Sequence, residues 1–149
     1  MGAPTVWVGC TVLAAALLLG GCEVPMSPVS EDAGGKQFAP PAPGKAALYV
    51  YRDAHMATFY IVEVSAGRYS LGDLGVSTYL RTELEPGRYD VRCRSPERTD
   101  AKVISLQPGE IAFVRIQNLP LGQRCGVAVP DAATGRSAVL NSKRVLEAQ

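Results

Sequence analysis

The sequence predicts an all-β fold, an antiparallel sandwich of about seven or eight short strands, for residues 46–140. Runs rich in β-branched and aromatic residues alternate there with turn signals. No segment before the C-terminus carries the apolar stripe, repeating every three or four residues, that marks an amphipathic helix. Two sheets packed face to face are the expected way to bury such strands.

Eight strands are predicted, at residues 46–52, 58–64, 68–71, 76–80, 89–94, 102–106, 111–117 and 125–129. In the fifth, Tyr89, Val91 and Cys93 alternate with charged residues, which is typical of a strand buried on one face. Segments 84–87 and 106–109 each contain Pro-Gly, which favours a type II turn. We expect each of these turns to join two neighbouring strands.

An uncharged apolar segment precedes this domain. Residues 5–19 read TVWVGCTVLAAALLL, and positions 1–21 contain no charged side chain. This length and character are typical of a secretory signal peptide, although the usual basic residue before the apolar run is missing. An uncleaved membrane helix stays open as the alternative, because residues 3–21 are just long enough to span a bilayer.

Leu19-Gly20-Gly21-Cys22 resembles the lipobox of bacterial lipoproteins. The resemblance implies that residues 1–21 are cut away between Gly21 and Cys22, once the Cys22 thiol has received a diacylglycerol. The mature protein would then be tethered to a membrane by several acyl chains, palmitate among them, which anchor stably where one chain does not. Glu23, rather than Asp, after the cysteine implies the outer membrane, with the domain facing the periplasm.

Residues 22–45 are predicted to form a flexible linker, and residues 141–149 a fraying tail with a possible edge strand from residue 138. Residues 23–45 contain five prolines and three glycines with almost no apolar periodicity, so we expect them not to pack. A flexible chain of this length would hold the domain roughly 25 to 30 Å from the lipid.

Several motifs carry a second resemblance. GKAALYVYR at 44–52, SAG at 65–67, LGDL at 71–74, STY at 77–79 and LEPGRY at 84–89 look like the domain of unknown function family 2846. The resemblance implies an immunoglobulin-like or related sandwich, found in bacterial lipoproteins and similar exported proteins, without an assigned activity. Since that family tends to have Asp-Gly where this chain has Ala66-Gly67, we expect a different or longer turn there.

The four cysteines divide by position. Cys10 lies in the leader and Cys22 is the expected lipid attachment point, which leaves Cys93 and Cys125 as a pair in an oxidising compartment. A disulfide between them is predicted, and free buried thiols are the alternative. A zinc or redox-active pair is disfavoured, because the chain has no CxxC motif and His55 is its single histidine.

No pattern predicts a catalytic residue, a cofactor or a metal. His55 is expected in a solvent-facing loop without a neighbouring nucleophile. Glu83 and Glu85 are expected on one face of a strand rather than converging on a substrate. The sequence therefore does not favour an enzyme.

The charge of the chain does not favour a nucleic-acid partner. Fifteen Lys and Arg balance 14 Asp and Glu, for a net charge of +1, so there is no general positive field. Arg92, Arg94 and Arg98 form a local basic stretch, but acidic residues interrupt it, which is typical of a solvated face. Those acidic residues are Asp90, Glu97 and Asp100.

Two function classes stay open for a membrane-anchored module. The first is a structural or protein-recognition role in the cell envelope, for which an unprotected edge strand is the expected sign. The second is binding of a small ligand or glycan, for which exposed tyrosines are the expected sign. The tyrosines are Tyr49, Tyr51, Tyr60, Tyr69, Tyr79 and Tyr89, and most of them are more simply explained as strand and core residues.

Overall fold

A computed structural model of the protein describes residues 2, 24–53 and 60–148. The predicted signal peptide, its cleavage site, Cys22 and His55 lie outside the described residues. The predicted β-sandwich is confirmed, since a five-stranded sheet packs against a four-stranded sheet.

Two helices and nine strands make up the described fold. The helices are α1 (Val29–Gly35) and α2 (Ala132–Leu140). The strands are β1 (Ala46–Arg52), β2 (Val62–Ala66), β3 (Tyr69–Leu74), β4 (Thr78–Leu84), β5 (Gly87–Ser95), β6 (Arg98–Leu106), β7 (Ile111–Leu119), β8 (Arg124–Ala128) and β9 (Lys143–Arg144). Each of the eight predicted strands overlaps one of β1 to β8.

The larger sheet has the order β8-β7-β1-β4-β9, and the smaller has the order β3-β2-β5-β6. Most pairs are antiparallel, as expected, but β1 runs parallel to β7 and β4 runs parallel to β9. The expectation of a wholly antiparallel sandwich is therefore wrong at these two pairs. In both, the later strand reaches its place only after the chain has passed through other elements, so no hairpin sets its direction.

The two Pro-Gly segments cross between the sheets. The N–H of Glu110 donates to the carbonyl of Gln107 (3.1 Å), and Gly109 has a φ of 75°, as a type II turn requires. Gly87 instead has a φ of 156° and already belongs to β5. These segments connect β4 to β5 and β6 to β7, which lie in different sheets. Our expectation that they join neighbouring strands was wrong, because a local turn motif does not specify which sheet the next strand enters.

The hairpin between β2 and β3 differs from the type I′ turn that Asp-Gly would favour at positions 66–67. Ala66 is the last residue of β2 and pairs with Tyr69, so only Gly67 and Arg68 form the turn. Gly67 has a φ of 57°, while Arg68 is not among the described residues with positive φ. A positive φ at the first turn position alone is the pattern of type II′, which places Gly there and leaves Ala66 in extended backbone.

Strand β1 is buried along its whole length. Its inner residues, including Leu48 and Val50, lie in the core between the two sheets. Its outer residues, including Tyr49 and Tyr51, belong to a second apolar cluster beneath the helices. The remaining buried members of that outer cluster are Ala47, Tyr79, Phe113 and Val139.

Helix α2 occupies the region where the sequence suggested an edge strand from residue 138, and that expectation is wrong. Asp131 caps the helix by accepting a hydrogen bond from the N–H of Thr134 (2.9 Å). Gly135 and Val139 are its buried residues. A Cβ at Gly135 would lie 2.4 Å from Cγ of Phe113, so the glycine allows the helix to approach β7 closely.

The segment predicted as a flexible linker packs against the domain from Val24 onward. Val24 is only 8% exposed, and Met26 forms an antiparallel bridge with Val145. The carbonyl of Pro25 accepts a hydrogen bond from the N–H of Leu146 (2.8 Å). The linker prediction is therefore wrong, because isolated apolar residues without periodicity can each fill a site that the rest of the fold provides.

The C-terminal segment also packs, in contrast to the predicted fraying tail. Strand β9 pairs with β4, and Val145 is fully buried. The N–H of Ala148 donates to the carbonyl of Leu71 on edge strand β3 (2.9 Å). Folded structure thus extends well beyond the predicted 46–140 on both sides. Among the described residues, no helix combines the length and the apolar character needed to cross a bilayer.

Candidate functional site

Cys93 and Cys125 form a disulfide, which is the pairing that the sequence predicts. Their Cα atoms are 6.4 Å apart, and both residues are fully buried. Cys93 lies on β5 and Cys125 on β8, so the bond connects the two sheets. The pair is part of the packed interior, where it has a structural role.

The tyrosines do not form a common exposed platform. Four of the six are buried, and three of these donate their hydroxyls to backbone carbonyls: Tyr49 to Gly35 (2.8 Å), Tyr60 to Arg124 (2.8 Å) and Tyr79 to Asp32 (3.1 Å). Burial is the largest cause that raises the pKa of Tyr79. Most of the tyrosines are therefore core residues, as the simpler interpretation of the sequence held.

The other two tyrosines form a small surface pair. Tyr69 is 38% exposed, and the centre of its ring lies 6.5 Å from that of the partly buried Tyr89. The guanidinium of Arg68 lies 5.1 Å from the centre of the Tyr69 ring. Two rings of which one is mostly covered offer little stacking surface to a glycan.

Glu83 and Glu85 bind different basic groups. Glu83 accepts hydrogen bonds from Arg81 (2.7 Å) and from the backbone N–H of Ala42 (3.1 Å). The bond from Arg81 is the largest cause that lowers the pKa of Glu83. Glu85 instead contacts the ammonium of Lys45. The two carboxylates therefore stabilise loop contacts and do not converge on a common point.

The basic stretch on β5 and β6 is neutralised locally. Arg92, Arg94 and Arg98 each form an ion pair with a carboxylate at the surface. The partners are Asp90, Glu63 and Asp100 respectively. Such exposed pairs contribute little to stability, and the arrangement is the solvated face that the charge pattern indicated.

Arg52 is a fully buried cation that the sequence analysis did not single out. Its Nη2 and Nε donate to Oδ1 of Asn118 (2.8 and 3.2 Å), and Nη1 donates to the carbonyl of Tyr60 (2.5 Å). Its guanidinium also lies 4.4 Å from the centre of the Tyr60 ring. Burial lowers the pKa of Arg52. These contacts connect β1, β7 and the segment before β2, so Arg52 is a structural element.

Strand β6 has an open edge over its second half. Its first half approaches β8, where the N–H of Val127 donates to Oδ2 of Asp100 (2.9 Å). Beyond Asp100, β6 is paired among the described residues with β5 alone. A groove of about 430 Å³ borders this part, between Lys102–Ser105 on one side and Glu110–Phe113 and Val129–Pro130 on the other.

The backbone of Val103 points toward this open edge. The N–H of Gly67 donates to the carbonyl of Asp90 (3.0 Å), so the peptide groups of Asp90 face β2. Asp90 is paired across β5 and β6 with Val103. Because the peptide groups of Asp90 face β2, Asp90 and Val103 form a non-hydrogen-bonded pair. In such a pair of an antiparallel ladder, the peptide groups of both residues point away from each other. The N–H and carbonyl of Val103 therefore face away from β5, and its side chain is 53% exposed.

A second concavity lies between α2 and the outer face of β1 and β7. Its volume is about 650 Å³, and most of its lining residues carry a polar or charged group, although apolar atoms supply the larger part of its wall. Tyr51 is fully buried, lines the cavity and has no hydrogen-bond partner for its hydroxyl in the described structure. Burial raises the pKa of Tyr51, and the nearby charge of Arg115 opposes that shift. An unsatisfied buried hydroxyl costs about 1 to 3 kcal/mol.

The chain resembles an uncharacterized bacterial protein. It is 26% identical over 106 residues to an uncharacterized protein of Haemophilus influenzae (strain ATCC 51907 / DSM 11121 / KW20 / Rd). The match covers 70% of this chain and 63% of the relative, so this chain spans less than two thirds of that protein. No known protein-family model matches the chain.

Sequence reasoning missed both concavities for the same physical reason. Each is formed by residues that are far apart in the chain and are brought together by sheet order. Arg115, for example, lies beside Tyr51 only because β7 pairs with β1. The one local signal was the alternation of charged and apolar residues at 100–103, which indicates a strand but not that the strand lies at an edge.

Proposed function

We propose that this chain is a lipid-anchored, non-catalytic module of the bacterial cell envelope that recognises a protein partner through the open edge of β6. The anchor is proposed from the uncharged leader and the lipobox resemblance that ends at Cys22. The outer membrane, on its periplasmic side, is the proposed location, from Glu23. The open edge is the single observation that carries the recognition step.

An extended segment of a partner could add a strand to this edge. Val103 offers an outward N–H and carbonyl, which can form main-chain hydrogen bonds with such a segment. Val103 and Val129 are 53% and 50% exposed and flank the groove, so they supply apolar contact. Lys102 and Glu110, which also line it, provide charges of both signs. An unprotected edge with apolar flanks favours a protein strand over a sugar.

The packing of the N-terminal segment restricts where this partner can be. Val24 already belongs to the core, so only Glu23 separates it from Cys22. Two Cα steps span at most about 7 Å, which replaces the roughly 25 to 30 Å reach of a flexible linker. On this proposal the domain rests directly on the lipid surface, and its partner is membrane-embedded or bound at the membrane surface.

The anchor is tested with Cys22→Ser in the exported protein. We expect the wild type to sediment with membranes and to carry the mass of the acyl chains in place of residues 1–21. The substituted protein should retain its leader or move to the soluble fraction. A wild type that keeps residues 1–21 and carries no acyl mass would overturn the lipid anchor.

The edge is tested by a pair of substitutions at one position. Val103→Pro removes the outward N–H without affecting the hydrogen bonds to β5, and proline is tolerated at such edge positions. Val103→Thr changes the side chain but keeps the N–H. A photo-crosslinker at Lys102 should capture a protein in the wild type and in Val103→Thr, and should lose it in Val103→Pro. A crosslinker at Val29, which is 85% exposed on α1, is the control position.

Capture that is equal in all three proteins, or equal from both crosslinker positions, would contradict recognition through β6. The circular dichroism of the two variants shows whether the sandwich is intact. Binding of a small ligand is the second candidate function, and the cavity that Tyr51 lines is the specific observation in its favour.

A further inference from the structure

Tyr51 differs from the other buried tyrosines in the hydrogen bonding of its hydroxyl. The hydroxyls of Tyr49, Tyr60 and Tyr79 each donate to a backbone carbonyl. That of Tyr51 has no partner in the described structure, although the residue is fully buried. Because buried hydroxyls are nearly always hydrogen-bonded, this one requires an explanation.

Short hydroxyl and amide side chains supply the polar part of the wall around Tyr51, and apolar atoms supply the larger part. From α2 it receives Thr134, Ser137 and Asn141, together with Ala133 and Ala138, whose small side chains leave space. Thr134 is fixed by Asp131 (2.7 Å), and the Asn141 amide donates to the carbonyl of Ser137 (2.9 Å). The helix is thus held in place while its hydroxyl groups border an open volume.

Ser77 contributes from the opposite side in an uncommon backbone conformation. It has a φ of 55°, which non-glycine residues rarely adopt. Its carbonyl accepts a hydrogen bond from the N–H of Lys143 (3.0 Å), so the turn before β4 is held by β9. Strained residues of this kind are concentrated at binding sites, and Ser77 lines the same cavity as Tyr51.

The charges at the cavity are already balanced. Nε of Arg115 lies 2.9 Å from Oδ2 of Asp53, and both side chains are mostly covered. An ionic ligand would have to separate this pair, which is costly for partly buried charges. A neutral molecule with several hydroxyls can donate to one group and accept from another, because each hydroxyl does both.

We infer that the cavity between α2 and the outer face of β1 and β7 binds a small neutral polyhydroxylated molecule, of the class of a simple sugar, with the Tyr51 hydroxyl as one of its hydrogen-bonding groups. The volume of about 650 Å³ lies within the usual range for small-molecule sites. A single trapped water would satisfy Tyr51, but it would leave most of this volume and the Ser77 conformation without an explanation. The inference does not depend on the lipid anchor or on the β6 edge.

The test is calorimetric titration of the full chain in detergent with D-glucose and N-acetylglucosamine, and with gluconate as an anionic probe. We expect at least one neutral sugar to bind and gluconate not to bind. Tyr51→Phe removes only the hydroxyl and should weaken the binding about three- to tenfold. Its thermal midpoint should equal or exceed that of the wild type, because an unsatisfied hydroxyl is gone.

Two controls separate binding from folding. Tyr49→Phe removes a hydroxyl that is already bonded to Gly35, so it should lower the thermal midpoint and leave sugar binding unchanged. Ser137→Phe, at an exposed position, should fill the cavity and abolish binding, whereas Leu140→Phe on the same helix but outside the cavity wall should not. Failure of both neutral sugars to bind the wild type, or equal binding by Tyr51→Phe, would overturn the inference.

Discussion

Cys93, on the inner strand β5, and Cys125, on the edge strand β8, connect the two sheets of the sandwich, with Cα atoms 6.4 Å apart. Around this bond, Ser95 accepts a hydrogen bond from the N–H of Cys125 (3.1 Å) and donates one to the carbonyl of Arg98 (2.8 Å). The disulfide and these hydrogen bonds therefore hold the same end of the sandwich closed, next to the part of β6 that remains open.

Replacing both cysteines by alanine should lower the free energy of unfolding by about 3 to 4 kcal/mol, since the bond closes a loop of 32 residues. Denaturant titration of the oxidised wild type and the double variant measures this difference. Reduced wild type should behave like the variant. If thiol labelling finds both cysteines free in the exported protein, the prediction fails.

Two adjacent glycines of α1 test the packing of the N-terminal segment. A Cβ at Gly35 would lie 2.5 Å from the Tyr79 hydroxyl oxygen, whereas a Cβ at Gly34 would meet nothing within 4 Å. Gly35→Ala should destabilise the fold by about 1 to 3 kcal/mol and expose Lys36 to trypsin. Gly34→Ala should be neutral or stabilising by up to about 1 kcal/mol. Equal, rapid cleavage after Lys36 in all three proteins would show that the segment does not pack.

Asp100 should make stability depend on pH. The bond from the N–H of Val127 is the largest cause that lowers its pKa in the folded protein. Because the folded pKa is lowered, ionised Asp100 stabilises the folded protein at pH values above its unfolded pKa, near 3.8. This stabilisation is lost as the pH falls through the folded pKa. Asp100→Asn should therefore lose about 1 kcal/mol at pH 7 and approach the wild type only as the pH falls below 3.8, through the folded pKa. A difference that is constant with pH would contradict this role.

Arg52 should tolerate no other cation. Arg52→Lys keeps the charge but lacks the planar fork that reaches Asn118 and Tyr60 together. We expect a loss of about 2 to 4 kcal/mol, because buried acceptors are left unsatisfied. Arg92→Lys, at the surface, should change the free energy of unfolding by less than about 0.5 kcal/mol. Comparable losses in the two variants would rule out the proposed structural role of Arg52.

The sequence predicted the strands well, because each strand is marked locally by β-branched and aromatic residues and ended by turn residues. Strand β5 shows this best: Val91 and Cys93 are buried and Arg92 and Arg94 are exposed, as their alternation predicts. The sequence could not predict that both faces of strand β1 are buried, since Tyr49 and Tyr51 are covered only by elements from distant parts of the chain.

What could not be predicted depends on long-range contacts. Helix α2 contains Gly135 in place of a strong helix former, and its position is set by Asp131 and by packing on Phe113. Val24 and Met26 have no periodic neighbours, so nothing local indicates that they pack. The cavity that Tyr51 lines and the edge at Val103 arise from the order of strands within the sheets, which no turn motif specifies.

The bridge between Met26 and Val145 determines how the domain would respond to mechanical load. Around it, Ser27 donates to the carbonyls of Arg144 (3.1 Å) and Val145 (3.0 Å). A force that pulls on the chain ahead of Val24 reaches the hydrogen bond from the N–H of Leu146 to the carbonyl of Pro25 (2.8 Å) first and these two next, and it passes through β9 to β4 only while they hold. The contacts of the N-terminal segment with the C-terminal residues must therefore break before tension from the N-terminal side can unfold the sandwich.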